Sequence, residues 1–489
     1  MFSPSLAFKI FLLLACARSS KLVKAETSWR SQLKSGTSAP SKKNGVVAST
    51  DGQLWITTTD GYLHILNAEN GKEIAVHEPF AGVEERCQSK AVLYEEDGKT
   101  KYGVYSLDDG RVFAVNPDGK ERWLAYFKSL IPNQPTIGRS GKNVYVTLSS
   151  KSDDKSQISI VDDEKSLEYG IGEVGGPISY DGHKFGSAAM IQRQDSTSLV
   201  FGSYASGKSS FGSTFEYNTN DGEVTELADI GRNVVAPPVL NKNGDKLWLT
   251  TSNPENGNAE IFGWVEGSFS KSSFWYTDLG EYGKDVHYAP LLSNDETSLY
   301  VTSDRAVYRV DADTGAIIWK VDDLNICSQP ILSPNNEYLF VIEETGGRIS
   351  KISTQTGVIS MEHNCSGSEC QMISSADIAI GPDGKSIYFA FESGLVMAVE
   401  VTDAETMTPS QETSLTPSAS PTLSPVLSAA PSAAPSVGGD GRQSDSNEPD
   451  DTEDDPVNSK RSSSASSICI KRVEVVLVLS VVVSYMMGF

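Results

Sequence analysis

A short apolar strand, a polar turn and a second strand recur along this chain, several times behind a proline. The order is written as QPTIGRSGKNVYVTLSS, GPISYDGHK, PPVLNKNGDKLWLTTS, YAPLLSNDETSLYVTSD and QPILSPNNEYLFVIEE, with the prolines at Pro135, Pro177, Pro238, Pro290 and Pro330. Three further copies lack the proline: GVVASTDGQLWITTTDG near Val46, KAVLYEEDGKTKYGVYSLDDG near Ala91 and ADIAIGPDGKSIYFAFESG near Ile378. Eight starts, about 47 residues apart on average, fill residues 46–402 without a gap. Within a unit, alternating runs mark four strands. The last run follows a turn such as NAENG (67–71), NPDG (116–119), DADTG (311–315) or TQTG (354–357). Glycine supplies the positive φ of such a turn, and Asp, Asn or Thr bonds the turning backbone.

Four short strands repeated at this period predict the blades of a β-propeller, small twisted sheets that each need neighbours on both faces. The chain therefore reads as all-β, a single propeller of eight four-stranded blades over residues 27–402. The eighth unit holds only three strands before its pattern ends. ETSWRSQL at the other end supplies the fourth, with Trp29 in the place of Trp123, Trp275 and Trp319 in their own units. Such a strand removes the open edge of the ring. Seven blades with one inserted unit is the alternative, and unit four is the suspect because Pro177 and Pro238 lie 61 residues apart.

The flanks read as addresses. Residues 1–17 carry Lys9, an apolar run and an Ala15-x-Ala17 pattern, a secretory signal peptide with a later cleavage site as far as Ala25. LLAC, Leu13 to Cys16, matches a lipobox only by chance. Residues 403–461 are Ser, Thr, Pro and Ala followed by an acidic stretch, a composition that cannot build a core and suits a glycosylated stalk. From 462 to 489 come a serine cluster, a polar spacer and VVLVLSVVVSYMMGF. That order fits a GPI-attachment signal with the lipid near Ser464, and a transmembrane tail is the alternative. The expected location is the secretory pathway and then the cell surface, membrane-anchored, with the propeller extracellular or lumenal.

A net charge of −23 on 489 residues argues against nucleic acid, whose phosphates want a basic face. Cys16 should leave with the signal peptide and Cys469 with the tail, which leaves four cysteines in an oxidising compartment. Cys365 and Cys370 are close enough to pair, and Cys87 with Cys327 only if their loops converge. Asn364 opens the NCS sequon. GSYASGKS, Gly202 to Ser209, satisfies a phosphate-loop pattern, but strand-like SFGSTFEYN follows where a helix N-terminus is required. The five histidines (His64, His77, His183, His287 and His363) show no metal spacing, and no G-x-S-x-G occurs.

The run VDADTGAIIW, Val310 to Trp319, with its upstream proline strand resembles the repeat of pyrroloquinoline-quinone (PQQ)-type, quinoprotein-like propellers. The likeness is good in unit six, partial in units one, two and seven, and poor in three to five. It implies that the turn glycine and outer-strand tryptophan dock neighbouring blades, which assigns that role to Gly315, Trp319, Trp29, Trp123 and Trp275. For the dehydrogenases of that family it implies a quinone over a tryptophan floor, adjacent cysteines, a Ca²⁺ site and an aspartate base. This sequence has no adjacent cysteines, and none of its Asp or Asn residues matches a ligand position. The expectation is a non-catalytic member: no cofactor, no metal, and a protein or glycan ligand at one propeller face. The hairpins LSSKSDDKSQ, GSYASGKSSFGS and TSNPENGNAE of units three to five mark that face. A PQQ- and Ca-dependent oxidoreductase on the same fold is the competing hypothesis.

Overall fold

The computed structural model describes residues 26–33 and 45–401, except 80–86, 88, 153–154, 170–172, 175–177, 182–183, 193–196, 205–211, 231, 235, 253–257, 266–273, 281–287, 304, 327, 344–347, 364–376 and 392–393. They form eight antiparallel sheets, the blades of a closed propeller. From inner to outer strand, blade one is Val46–Ala48, Gln53–Thr57, Leu63–Asn67 and Glu73–His77, and blade two is Val92–Glu96, Lys99–Ser106, Arg111–Val115 and Glu121–Tyr126. Blade four is Lys184–Gln192, Thr197–Tyr204, Ser213–Asn218 and Val224–Asp229. Blade five is Val239–Leu240, Leu247–Ser252, Ala259–Trp264 and Phe274–Asp278. Blade six is Leu291–Leu292, Ser298–Thr302, Val307–Asp311 and Ile317–Val321, and blade seven is Ile331–Leu332, Tyr338–Glu343, Arg348–Ser353 and Ile359–His363. The middle strands are buried on both faces, because each blade is sandwiched between two others. Among the described residues the large hydrophobics that remain exposed, Ile74, Tyr126, Phe274, Tyr276, Ile317, Ile318 and Val358, lie on or beside outer strands.

Blade eight is built from both ends of this region. Asp377–Ile380, Ser386–Ala390 and Leu395–Glu400 are followed outward by Glu26–Gln32, in the order that closes the ring. Glu26 pairs with Glu400 and Gln32 with Leu395, with one bulge between Thr27 and Trp29.

Blade three is the irregular one, and it corrects the expected unit boundary at Pro177. Its inner positions are Leu130–Pro132 and Thr136–Ile137, followed by Asn143–Ser150 and Lys155–Asp162. The strand behind Pro177, Ile178–Asp181, pairs with Lys155–Ile158 as the outer strand of this blade, and blade four begins at Lys184. A proline ahead of a short strand suits an outer edge as well as an inner start, since neither place needs a backbone N–H from that residue. The 61-residue interval is then one outer strand plus one whole blade, with no inserted unit. A short helix, Asp163–Tyr169, stands where blades one, two, four, six and seven make a tight third turn.

Blades dock through those turns. Trp29 of blade eight lies over Gly71 of blade one, so close that a Cβ on Gly71 would stand 2.4 Å from the ring. Its Nε1 donates to Ala68 O at 3.0 Å. Trp319 of blade six repeats this against Gly357, donating to Thr354 O at 2.8 Å. Trp275 of blade five covers Gly315, but there Trp248 has taken the equivalent acceptor, Ala312 O, at 2.9 Å. The Trp275 indole N–H is accordingly buried without a partner. Trp123 donates instead to the Asp163 carboxylate at the start of the helix, which also holds the Arg122 guanidinium through two bonds of 2.7 and 2.6 Å. Where blade one offers only Ala75, Gly119 of blade two closes down on its methyl group.

Candidate functional site

In an antiparallel meander the second-to-third hairpins emerge on the same side as the connections that lead into each inner strand. The opposite side carries the first and third turns. On the hairpin side, blades one, two and eight turn tightly, through Gly61, Gly110 and Gly394 with φ of 88°, 103° and 75°. The hairpins of blades three and four include 153–154 and 205–211, outside the described residues, so the strands that carry them are what can be compared. Counted from the pairs that open the third connection, Ser298 with Asp311, Asn143 with Asp162 and Ser198 with Asn218, the second strand runs on to Thr302 in blade six, to Ser150 in blade three and to Tyr204 in blade four. Lys99–Ser106 of blade two is as long, but its extra length lies at the other end, beside Glu95 and Glu96. Three extra residues in blade three and two in blade four raise that part of the rim by about 7–10 Å. The hairpins of units three to five thus share one face, and two of them stand on extended strands.

The mouth of the channel on this face is bridged. Lys90, half-buried just before the inner strand of blade two, donates from Nζ to Gln329 Oε1 of blade seven at 3.3 Å, across 239 residues of sequence. Both precede an inner strand in a matching frame, Ser89-Lys90-Ala91 and Ser328-Gln329-Pro330, and Asn133-Gln134-Pro135 repeats it in blade three. The first residue of each frame fastens the mouth to the second strand. Ser89 Oγ accepts from Ser106 N at 3.2 Å, Ser328 Oγ accepts from Ile342 N at 2.9 Å, and Asn133 N donates to Thr147 O at 2.9 Å. Lys90 and Gln329 were not singled out by their residue types. The Ser/Asn-x-Pro frame was a signal that could have found Gln329, whereas Lys90 stands in Ser-Lys-Ala and only its place ahead of the inner strand marks it.

Around the mouth, charge is paired at the hairpin bases. Arg111 Nε meets Asp109 at 2.5 Å, Arg232 Nε meets the buried Glu260 at 2.6 Å, and Arg348 meets the buried Glu343, which also accepts from Ser350 at 2.6 Å. Burial raises the Asp109 carboxyl above its ordinary range, with Asp108 adding to it. Among the described residues no group of three or more His, Cys, Asp or Glu is placed to hold a metal. The bridged mouth and the paired carboxylates do not fit a planar quinone with a calcium ion, which needs several free oxygens converging beside the axis.

Cys87 is a buried thiol whose Sγ lies 3.8 Å from Tyr62 O, and burial pushes its pKa well up. Its proposed partner Cys327, the pair Cys365 and Cys370, Asn364 and Ser464 lie outside the described residues, as do the segments read as signal peptide, stalk and anchor. No helix of the described residues is long and apolar enough to cross a membrane. Of GSYASGKS, Gly202 to Tyr204 end the second strand of blade four and the rest lies outside the described residues, and the next described element is the strand Ser213–Asn218 rather than the helix a phosphate loop needs. His64 is buried against Glu73 at 3.2 Å, and His77 against the Tyr105 hydroxyl at 2.7 Å with Glu121 at 3.7 Å. Desolvation pushes His77 down to about 4. Both are packed side chains inside or between blades, away from the mouth.

The fold and its face define the class: an eight-bladed propeller with one raised rim and a side-chain bridge over its channel. Residues 234–428 match the PQQ_2 family profile, described as outer membrane protein assembly factor BamB, a span of less than half the chain. No curated protein matches. Among solved structures, the Dos1 propeller is similar with a TM-score of 0.59 at 9% identity, over 77% of this chain and 95% of that one. The C-terminal WD40 domain of Sif2 gives 0.57 at 12%, covering 78% and 99%. Sqt1 of Saccharomyces cerevisiae gives 0.57 at 11%, covering 78% and 100%. At such identities the likeness is one of fold.

Proposed function

We propose that this chain is a non-catalytic, PQQ-type repeat propeller that binds or scaffolds a macromolecular partner at the cell surface. In this reading it is exported by residues 1–17 and held by a C-terminal anchor attached near Ser464. The ligand sits on the hairpin face, over the mouth that Lys90 and Gln329 span. One observation carries the reading: on the hairpin side the second strands of blades three and four run past the level reached in blade six, while blades one, two and eight turn tightly there. Length added on one sector of one face builds a contact wall, whereas neutral drift would scatter it. The PQQ-dependent oxidoreductase loses support because the axis at this mouth is crossed by protein side chains.

The test is partner retention by hairpin variants of the full chain. Replacing 151–154 and 205–211 each by Asn-Gly should abolish capture of surface partners while leaving the melting temperature within a degree or two. Unchanged capture by both variants would remove the hairpin face from the reading.

A further inference from the structure

The junction between blades four and five departs from the docking scheme of the others. The outer strand of blade four, VTELAD, has no tryptophan, and nine residues, 265–273, separate the third strand of blade five from its outer strand. The register of those two strands pairs Trp264 with Phe274, Phe262 with Tyr276 and Glu260 with Asp278. All six side chains therefore share the face turned toward blade four, while Trp275 and Thr277 face Gly315 of blade six. Phe262 and Trp264 are buried against Val200 and Ala228 of blade four. Phe274 and Tyr276 are 37% and 59% exposed. Tyr276 stacks on Phe262 at 5.8 Å and 28°, and Phe274 lies 5.4 Å from Trp264. A ring backed on one side by a buried ring presents its other π-face to water.

The next rank on the same face is polar. Asp278 is exposed, and both its oxygens accept from Asn258 Nδ2 at 3.3 Å. Glu260 opposite it is held by Arg232. Two residues of strand separate this rank from Tyr276, about 7 Å. We propose that this face is a subsite for a neutral, hexose-based glycan, with Tyr276 under the C–H face of one pyranose and Asp278 and Asn258 bonding its hydroxyls. A pyranose carries an apolar face and a rim of hydroxyls at this spacing, and the site offers an electron-rich plane beside hydrogen-bonding groups. Charge selects among ligands. A net −23 with an exposed carboxylate at the contact disfavours sulfated or uronate glycans, nucleic acid and a second copy of the chain. The subsite lies on the outer rim and stands independently of the ligand proposed at the channel mouth.

Laminarihexaose, cellohexaose, mannohexaose and galactohexaose, with heparin and a random peptide pool as contrasts, are titrated calorimetrically into the full chain. At least one neutral hexaose should bind. Tyr276→Ala should weaken it roughly tenfold, the size of a lost stacking contact, and Tyr276→Phe should retain it. Asp278→Ala should weaken it as well, and because both side chains are exposed the melting temperatures should hold. If Tyr276→Ala lowers the melt, Asp278→Ala decides alone. No binding of any hexaose at millimolar concentration, affinities indifferent to both variants, a preference for heparin, or binding of the peptide pool at this face would each overturn the proposal.

Discussion

Trp29 and Gly71 join the first blade to the last, and their coupling can be measured. Trp29→Ala removes a partly buried indole and leaves Ala68 O without its donor. A fully buried Trp→Ala change costs about 3–5 kcal/mol; half of that for partial burial, with about 1 for the hydrogen bond, gives about 3 kcal/mol. Gly71→Ala places a methyl group 2.4 Å from the Trp29 ring at a φ of 70°. The left-handed backbone costs about 1 kcal/mol and the forced displacement about 2, again about 3 in all. In the double variant the ring is gone and only the backbone strain remains. The sum should then be about 4 rather than 6 kcal/mol, a coupling of about 2 kcal/mol. Guanidinium unfolding of the four proteins, followed by tryptophan-independent far-UV signal, reads this directly where the transitions are single and reversible. Additivity within about 0.5 kcal/mol would show that the glycine does not seat the tryptophan, and the docking argument for Gly315 with Trp275 and Gly357 with Trp319 would fall with it.

Removing Glu26–Leu33 takes the outer strand from blade eight, so the truncated ring should melt well below the intact one and be cut faster by protease; equal melts would refute closure by this strand. Acid should destabilise the fold through His77: its folded pKa of about 4 lies below the ordinary 6.5, so the unfolded state binds more protons between those values. Stability is then lost as pH falls from about 6.5 to about 4, by up to about 3 kcal/mol, and His77→Phe should flatten that part of the pH–melting curve; an unchanged curve would refute the role of His77. PQQ with Ca²⁺ should neither raise the melting temperature nor support dye-linked oxidation of alcohols or sugars, since a ligand of the native state alone must raise it. Phosphatidylinositol-specific phospholipase should release the protein from cells, whereas retention with VVLVLSVVVSYMMGF detected by mass spectrometry would establish a transmembrane tail.

The blade count and the closing strand were legible because they rest on local patterns: alternation, turn glycines and a tryptophan at a fixed place. Pro177 misled for a local reason too, since nothing within GPISYDGHK distinguishes an outer edge from an inner start. That depends on Lys155–Ile158 being free to pair with it. The Trp123 contact with Asp163 was readable only in half, because the tryptophan fitted the pattern while its partner sits in a helix that replaces the expected turn. Lys90 and Gln329 meet only when the ring closes, so no window of sequence contains both. The aromatic ranks of blade five are visible as FGW and FWY, yet their exposure is set by what blade four lacks.

Because Glu26–Gln32 supplies the outer strand of blade eight, the chain leaves the propeller from Leu395–Glu400, a strand bonded on both sides. It leaves at Val401 on the side of the third turns, opposite the raised hairpins, with Val401 N fastened to Lys385 O at 2.8 Å. A pull on the polypeptide beyond Val401 therefore loads two hydrogen-bonded ladders at once and in shear. Had the N-terminal strand been missing, the same pull would have acted on an edge and peeled it bond by bond. Strain arriving along the C-terminal segment is spread over residues from both ends of the propeller.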